Sequence, residues 1–260
     1  MRFARTLTAV LLPLALLGAC GDDDDDPALE VDEATTTTAD GSEDGDGDEG
    51  SGTDRAADQA LADSIVLTLA DVGPDWEVSS DDEDDDEDEE ETDLALAECL
   101  QVDPAVMDDE GEAMADALFD REQGRIEGSV SITETVEEAV SDFEILKGDR
   151  FADCYGGLLD DELRSEAESD PEAAEAGVTY GGVEMTRIDV PAGLGEEAIG
   201  YRATIAISAQ GVDFSSYADF VFVRRGRVEM TTSLLSNFEP PPAAYAVSLA
   251  SAMDRRAASA

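Results

Sequence analysis

The sequence predicts an α+β fold: a single antiparallel β-sheet with helices packed against it, after a disordered acidic tether. Three observations predict it. Period-two alternation of apolar residues fills much of the C-terminal third, where Arg225-Gly226 supplies a short hairpin signal. Stretches of helical spacing stand before and after those strands. Residues 21 to 55 have almost no apolar content, so they cannot offset the entropy of ordering. Of the 260 residues, those left after the tails suffice for one ordinary domain.

The N-terminus reads as an export signal. Arg2 and Arg5 form a positive n-region, and Leu7 to Leu17 is an apolar run of signal-peptide length. A bilayer span needs roughly 20 apolar residues, more than this run has. It ends in Leu17-Gly18-Ala19-Cys20, the spacing of a lipobox. Small Gly18 and Ala19 let an extended chain enter a peptidase, and Cys20 supplies the thiol that takes a diacylglycerol. Two or three acyl chains on one residue hold stably to a membrane, since each buried CH2 contributes about 0.8 kcal/mol. Residues 1–19 are therefore expected to be a lipoprotein signal peptide. Residues 20–54 are an acidic disordered tether, and residues 55–260 an extracytoplasmic domain. Cys20 is the expected lipidation site, with palmitate-type acylation at the outer face of the cell membrane. A flexible tether of this length averages roughly 30 Å end to end, and its like charges extend it further.

Within the domain, Leu61, Ile65, Val66 and Leu69 predict a helix from about Asp54 to Ala70, stopped by Gly73-Pro74. Trp76 follows in a short strand and is read as a core residue rather than a ligand platform. Asp81 to Glu91 is read as an exposed acidic loop, and Leu94 to Leu100 returns to apolar character. Ile126, Val130 and Ile132 alternate with Glu127, Ser129, Ser131 and Thr133, which predicts a half-buried strand. A helical stretch runs from about Val136 to Leu163 with a break at Gly148, and Phe151, Cys154, Tyr155 and Leu158 share its inner face. Strands are predicted at Val183 to Val190, at Tyr201 to Ala209, at Tyr217 to Arg224 and from Val228 to Leu234. The third is apolar on both faces and should be central. Pro240, Pro241 and Pro242 open a last helix, with Tyr245, Leu249 and Met253 against the sheet.

Composition narrows function. The formal charge is −51, from 66 acidic and 15 basic residues. That repels phosphates, so nucleic acid is not an expected partner. The chain has no histidine and one lysine, Lys147. There is no histidine-based triad and no G-x-S-x-G, and a serine–lysine pair would need Lys147. No catalytic residue is assigned and no enzyme activity is expected. With Cys20 used by lipid, Cys99 and Cys154 remain as an even pair in an oxidising compartment and are predicted to form a disulfide. The alternatives are two unpaired buried cysteines or, without histidine to complete it, a metal site.

Two motifs in the tether imitate chemistry. Gly45-Asp46-Gly47-Asp48-Glu49-Gly50 spells G-x-G-x-x-G, but no strand is expected before it and no helix after it, and its acidic positions repel a pyrophosphate. Asp40, Ser42, Asp44, Gly45, Asp46 and Asp48 match the start of an EF-hand loop, yet Ser51 stands where a bidentate glutamate belongs and flanking helices are missing. Weak association of divalent cations with the acidic runs is expected, and no dedicated metal or cofactor site. Arg224, Arg225 and Arg227 form the one basic cluster. It is read either as a receiver of an anionic ligand or partner carboxylate, or as a solvated hairpin tip balancing nearby acids.

Leu69-Ala70-Asp71-Val72-Gly73-Pro74-Asp75-Trp76, then Cys99, an alternating strand, a helix bearing Cys154 and a C-terminal meander and helix resemble the extracytoplasmic sensor-like lipoproteins of high-GC Gram-positive bacteria. Over about residues 58 to 258 the chain is similar to the outer domain of PknH-type Ser/Thr kinases and its free-standing lipoprotein relatives. The resemblance implies an α+β domain with a groove against the sheet for a small ligand. The chain departs from the family's two-disulfide pattern, having one available pair, and no binding residues are carried over. The expectation is a lipid-anchored, non-catalytic sensor or ligand-binding domain. Its expected partners are the membrane through the anchor, a small-molecule or envelope ligand, and a signalling protein. The alternatives are a carrier of lipid or other apolar molecules in the envelope and, third, a hydrolase of envelope polymers.

Overall fold

The computed structural model describes residues 51–79, 86–107 and 113–260. The expected signal peptide, Cys20 and the two tether motifs lie outside the described residues. The chain runs α1 (Ser51–Ile65), α2 (Leu69–Val72), β1 (Glu77–Val78), α3 (Asp86–Leu100), a 3-10 turn (Pro104–Val106), β2 (Ala113–Arg121) and β3 (Gly124–Ile132). Then come α4 (Val136–Lys147), α5 (Phe151–Ser169), α6 (Pro171–Ala176), β4 (Val178–Ile188), β5 (Glu197–Ala209), β6 (Val212–Arg225), β7 (Val228–Asn237) and α7 (Ala243–Ala257). The seven strands form one sheet in the order β1-β2-β3-β7-β6-β5-β4, every pairing antiparallel. This is the α+β arrangement that the alternation predicts.

Helices cover both faces, giving a helix–sheet–helix stack. On the first face α1 lies on β2 and β3, and α7 on β6 and β7. Ile65, Trp76, Ile126, Val130, Val221, Val223, Met230, Leu249 and Met253 bury there. On the second face α5 runs along β4, α4 crosses β5 and β6, and α3 packs on α5. Leu96, Phe143, Phe151, Tyr155, Tyr201, Phe220 and Phe222 bury there. β6 is thus interior, with Val221 and Val223 turned one way and Phe220 and Phe222 the other. Gly128 is small because Leu67 occupies its space: a Cβ there would lie 2.6 Å from the Leu67 side chain.

Two long-range devices tie the helices down. Arg256 of α7 donates from Nε to the Ile65 carbonyl and from Nη2 to the Val66 carbonyl, both at 2.9 Å, and pairs with Asp71. Those carbonyls close the end of α1, where a helix has no partners of its own. Cys99 on α3 and Cys154 on α5 are joined by a disulfide, Cα to Cα 5.7 Å, the pairing the cysteine count points to.

Several local expectations are corrected. α1 begins at Ser51 rather than Asp54, so a helix does follow Gly50 directly. The acidic run expected as a loop is helical from Asp86 onward, continuous with Leu94 to Leu100. Leu96 and Ala97 bury in the core and hold that helix. β2 has no counterpart in the sequence reading, since Ala113, Ala115 and Ala117 carry no strand preference; pairing with β3 and the packing of α1 on it hold the strand. On α5 the buried stripe passes through Leu159 rather than Leu158. The prolines precede α7, with Pro242 at the N-cap, instead of forming its first turn.

Candidate functional site

The registers of β2, β3, β7, β6 and β5 set side chains in rungs across the second face of the sheet. One rung reads Met114, Ser131, Glu229, Arg224, Glu197. The next reads Asp116, Ser129, Thr231, Phe222, Ile199, and the third Leu118, Glu127, Ser233, Phe220, Tyr201. Toward β5 and β6 the third rung is apolar and lies under the aromatic cluster of α5. There Phe151 stacks on Tyr155 at 5.4 Å, and Tyr155 meets Phe220 edge-on at 5.6 Å. Toward β3 and β7 the rungs are polar.

Between these halves lies a trough. Its lining includes Met114, Ser129, Ser131, Glu229 and Thr231 from the strands, Phe222 from β6, and Phe143 and Leu146 from α4. It is a small cleft of about 30 Å³ that opens to solvent. Ser129, Ser131, Glu229 and Thr231 are half-buried, neither core nor free surface. α4 is placed over the trough by its ends. Thr135 caps it by accepting from the Glu138 backbone N–H at 3.1 Å, and Tyr201 donates its hydroxyl to the Leu146 carbonyl.

Charges around the trough are organised. Arg224, 5% exposed, donates to Glu197 at 2.9 Å and to the Gly226 carbonyl at 3.0 Å, and also pairs with Glu196. Lys147 bridges Glu197 and Glu144. Hydrogen bonding from Lys147, then from Arg224, holds the Glu197 carboxyl below the ordinary range despite some burial. Asp142 on α4, 5% exposed, behaves oppositely: burial, with neighbouring Glu138 adding to it, pushes its carboxyl up to about 6.

The basic cluster balances nearby acids, as one of its two readings expects, but it is buried to half-buried rather than solvated. Arg225 forms two bonds to Asp254, at 2.7 and 3.2 Å, and Arg227 forms two to Asp58, at 2.7 and 3.1 Å. With Arg224 on Glu196 and Glu197, all three guanidiniums pin carboxylates from other elements. Trp76 is 4% exposed in the core, with Arg121 over its ring at 4.4 Å. Among the described residues no three or more Asp, Glu, Cys or His side chains are placed to hold a metal ion. No helix among them is long and apolar enough to cross a membrane.

The resemblance implies a groove against the sheet, but the residue pattern did not show which side chains line it. The sequence reading took Glu127, Ser129, Ser131 and Thr133 for a solvent face, whereas α4 folds back over that side and Thr133 is fully buried, bonded to the Thr135 carbonyl. The available signal was the matching polar set on Glu229, Thr231 and Ser233, which pairs rung by rung with Ser131, Ser129 and Glu127. The trough can bind through hydroxyls, a carboxylate and aromatic walls.

No family model matches the chain, and no curated protein matches it. Among solved structures, the extracellular domain of PknH from Mycobacterium tuberculosis is similar over 71% of this chain and 78% of that one, at 13% identity and a TM-score of 0.37. A likeness of that size transfers neither a ligand nor a residue's role.

Proposed function

We propose that this chain is a lipid-anchored extracytoplasmic domain that binds a ligand in the trough beneath α4 and performs no catalysis. The observation that carries the binding reading is the trough itself. Hydroxyls of Ser129, Ser131 and Thr231 and the Glu229 carboxylate stand half-buried beside Phe143, Leu146 and Phe222. Half-buried polar groups beside apolar walls are the usual make-up of a small-molecule site. The small volume and polar floor suit a polar group entering from solvent better than a long acyl chain. Export is supported by the Arg2, Arg5, Leu7 to Leu17 and Cys20 pattern together with the Cys99–Cys154 disulfide, which suits an oxidising compartment.

The test is a fragment screen read by methyl NMR on the mature protein, with neutral, cationic and anionic fragments. Binders should shift Met114, Leu146 and Met230 signals, and Ser131→Trp, which fills the trough, should abolish those shifts. A screen without binders, or binders that leave these methyls unmoved, contradicts the reading.

A further inference from the structure

The β5–β6 hairpin closes the end of the sheet farthest from the β6–β7 turn, where Arg227 holds Asp58 of α1. β6 runs 14 residues between the two ends, about 40 Å. At this tip Val212 is 65% exposed and Phe238 48%. Phe214, half-buried, lies beside Phe238 with ring centroids 5.4 Å apart. Phe238 stands at φ 71°, in the left-handed region where a bulky side chain is an outlier. Its neighbours hold it there. The Phe238 N–H donates to the Ser215 carbonyl at 3.0 Å, the Asn237 N–H to the Gln123 carbonyl at 3.2 Å, and the Ser236 hydroxyl to the Glu239 carbonyl at 3.0 Å. Strain of this kind persists only where the surroundings over-determine it, and it gathers at functional sites. Glycine would meet the backbone need without strain, so the position presents to solvent a ring that the turn itself does not require.

The tip carries charge of one sign. The segments that meet there, residues 174–179, 209–215 and 236–242, hold Glu175, Asp213 and Glu239 and no Lys or Arg. They join where the Gln210 N–H donates to the Gly177 carbonyl and the Phe238 N–H to the Ser215 carbonyl. All three acids are exposed. At the neighbouring β2–β3 turn Glu122 adds another, and Arg121 lies over the Trp76 ring.

We infer that this tip is a docking surface for a protein partner that offers an apolar socket bordered by lysines or arginines. Phe238, Val212 and Phe214 enter the socket, and Glu175, Asp213 and Glu239 meet the border. The inference goes beyond the trough reading and does not rest on it. Apolar side chains rimmed by polar ones mark protein interaction sites, and a few aromatic anchors carry most of such a contact. Charge selects the partner. A second copy would bring the same acids to the contact, and an anionic bilayer would repel them, on a chain of formal charge −51. The small number of anchors makes the contact a weak, transient one.

The mature full-length protein should be titrated with the acetylated, amidated peptides KLWLK and ELWLE, read by methyl and aromatic NMR. KLWLK should shift the Val212 methyls and the Phe214 and Phe238 rings. It should bind about tenfold or more tighter than ELWLE at low salt, and the gap should close as salt rises. Phe238→Gly should abolish the shifts and leave the urea midpoint little changed, since relief of left-handed strain offsets the lost ring contact. Val212→Ser, at an exposed position, should weaken KLWLK binding on an intact fold. Equal binding of the two peptides, silence of these signals with both, or parent-like binding by Val212→Ser overturns the docking role. Phosphatidylcholine vesicles that move the same signals would assign the tip to lipid. A concentration-dependent dimer that Phe238→Gly removes would assign it to a second copy. Either result overturns the protein-partner assignment. The Met114, Leu146 and Met230 methyls report on the trough separately, so each reading fails on its own signals.

Discussion

Asp142 lies buried on α4 near Ala139, Phe143 and Leu146, and its carboxyl titrates at about 6 instead of near 3.8. The folded state therefore holds a proton that the unfolded state releases between those two values. Stability falls as pH rises through that window, because the native state binds more protons there. Above about 6 the whole penalty is present, about 3 kcal/mol at most for a displacement of roughly two pH units. Asp142→Asn removes the charge and keeps the shape. Urea melts should show the variant about 1–3 kcal/mol more stable than the parent near neutral pH, and little different at about pH 4. An equal difference at both would show that burial does not govern this group. Asp160 on α5 is the contrast. The Tyr180 hydroxyl, donating at 2.6 Å, and then Arg164 hold its carboxyl low, so its contribution is present near neutrality and fades only in strong acid.

At the scale of elements, the disulfide carries most of what is special about α3. The helix is acidic over its first half, and Leu96 and Ala97 are its buried anchors on α5. A bridge spanning 55 residues is worth about 4 kcal/mol on the chain-entropy model. Replacing Cys99 and Cys154 together by alanine should lower the urea midpoint, and hydrogen exchange should quicken in α3 well before α7. Uniform quickening through α7 would mean the bridge serves the whole core instead. Elements with a strong period were legible in the sequence: β5, with Tyr201, Ala203, Ile205 and Ile207 inward, and β6, apolar on both faces, stand as the alternation predicts. β2 and the helical part of the acidic run were not, since alanine favours no strand and a charged helix shows no apolar stripe until Leu96. The lining of the trough was illegible for a related reason. Ser129 and Ser131 have the pattern of a wet strand face, and only the return of α4 encloses them. The arginine cluster was visible by composition, but its partners Asp58, Glu196, Glu197 and Asp254 are brought together only by the fold.

At the scale of the whole molecule, the proposed function couples the trough to a membrane through the acidic segment that begins at Cys20. On that proposal, the chain's formal charge of −51 repels an anionic bilayer. The arrangement has a purpose only if the chain is held at a surface, so the acylated terminus is the claim on which the rest depends. The direct measurement is the intact mass of the protein extracted from the membrane fraction of its host. The account predicts a chain that starts at Cys20 and carries a diacylglyceryl group on its sulfur. A mature chain starting at another residue, or one starting at Cys20 without fatty acid, would contradict it.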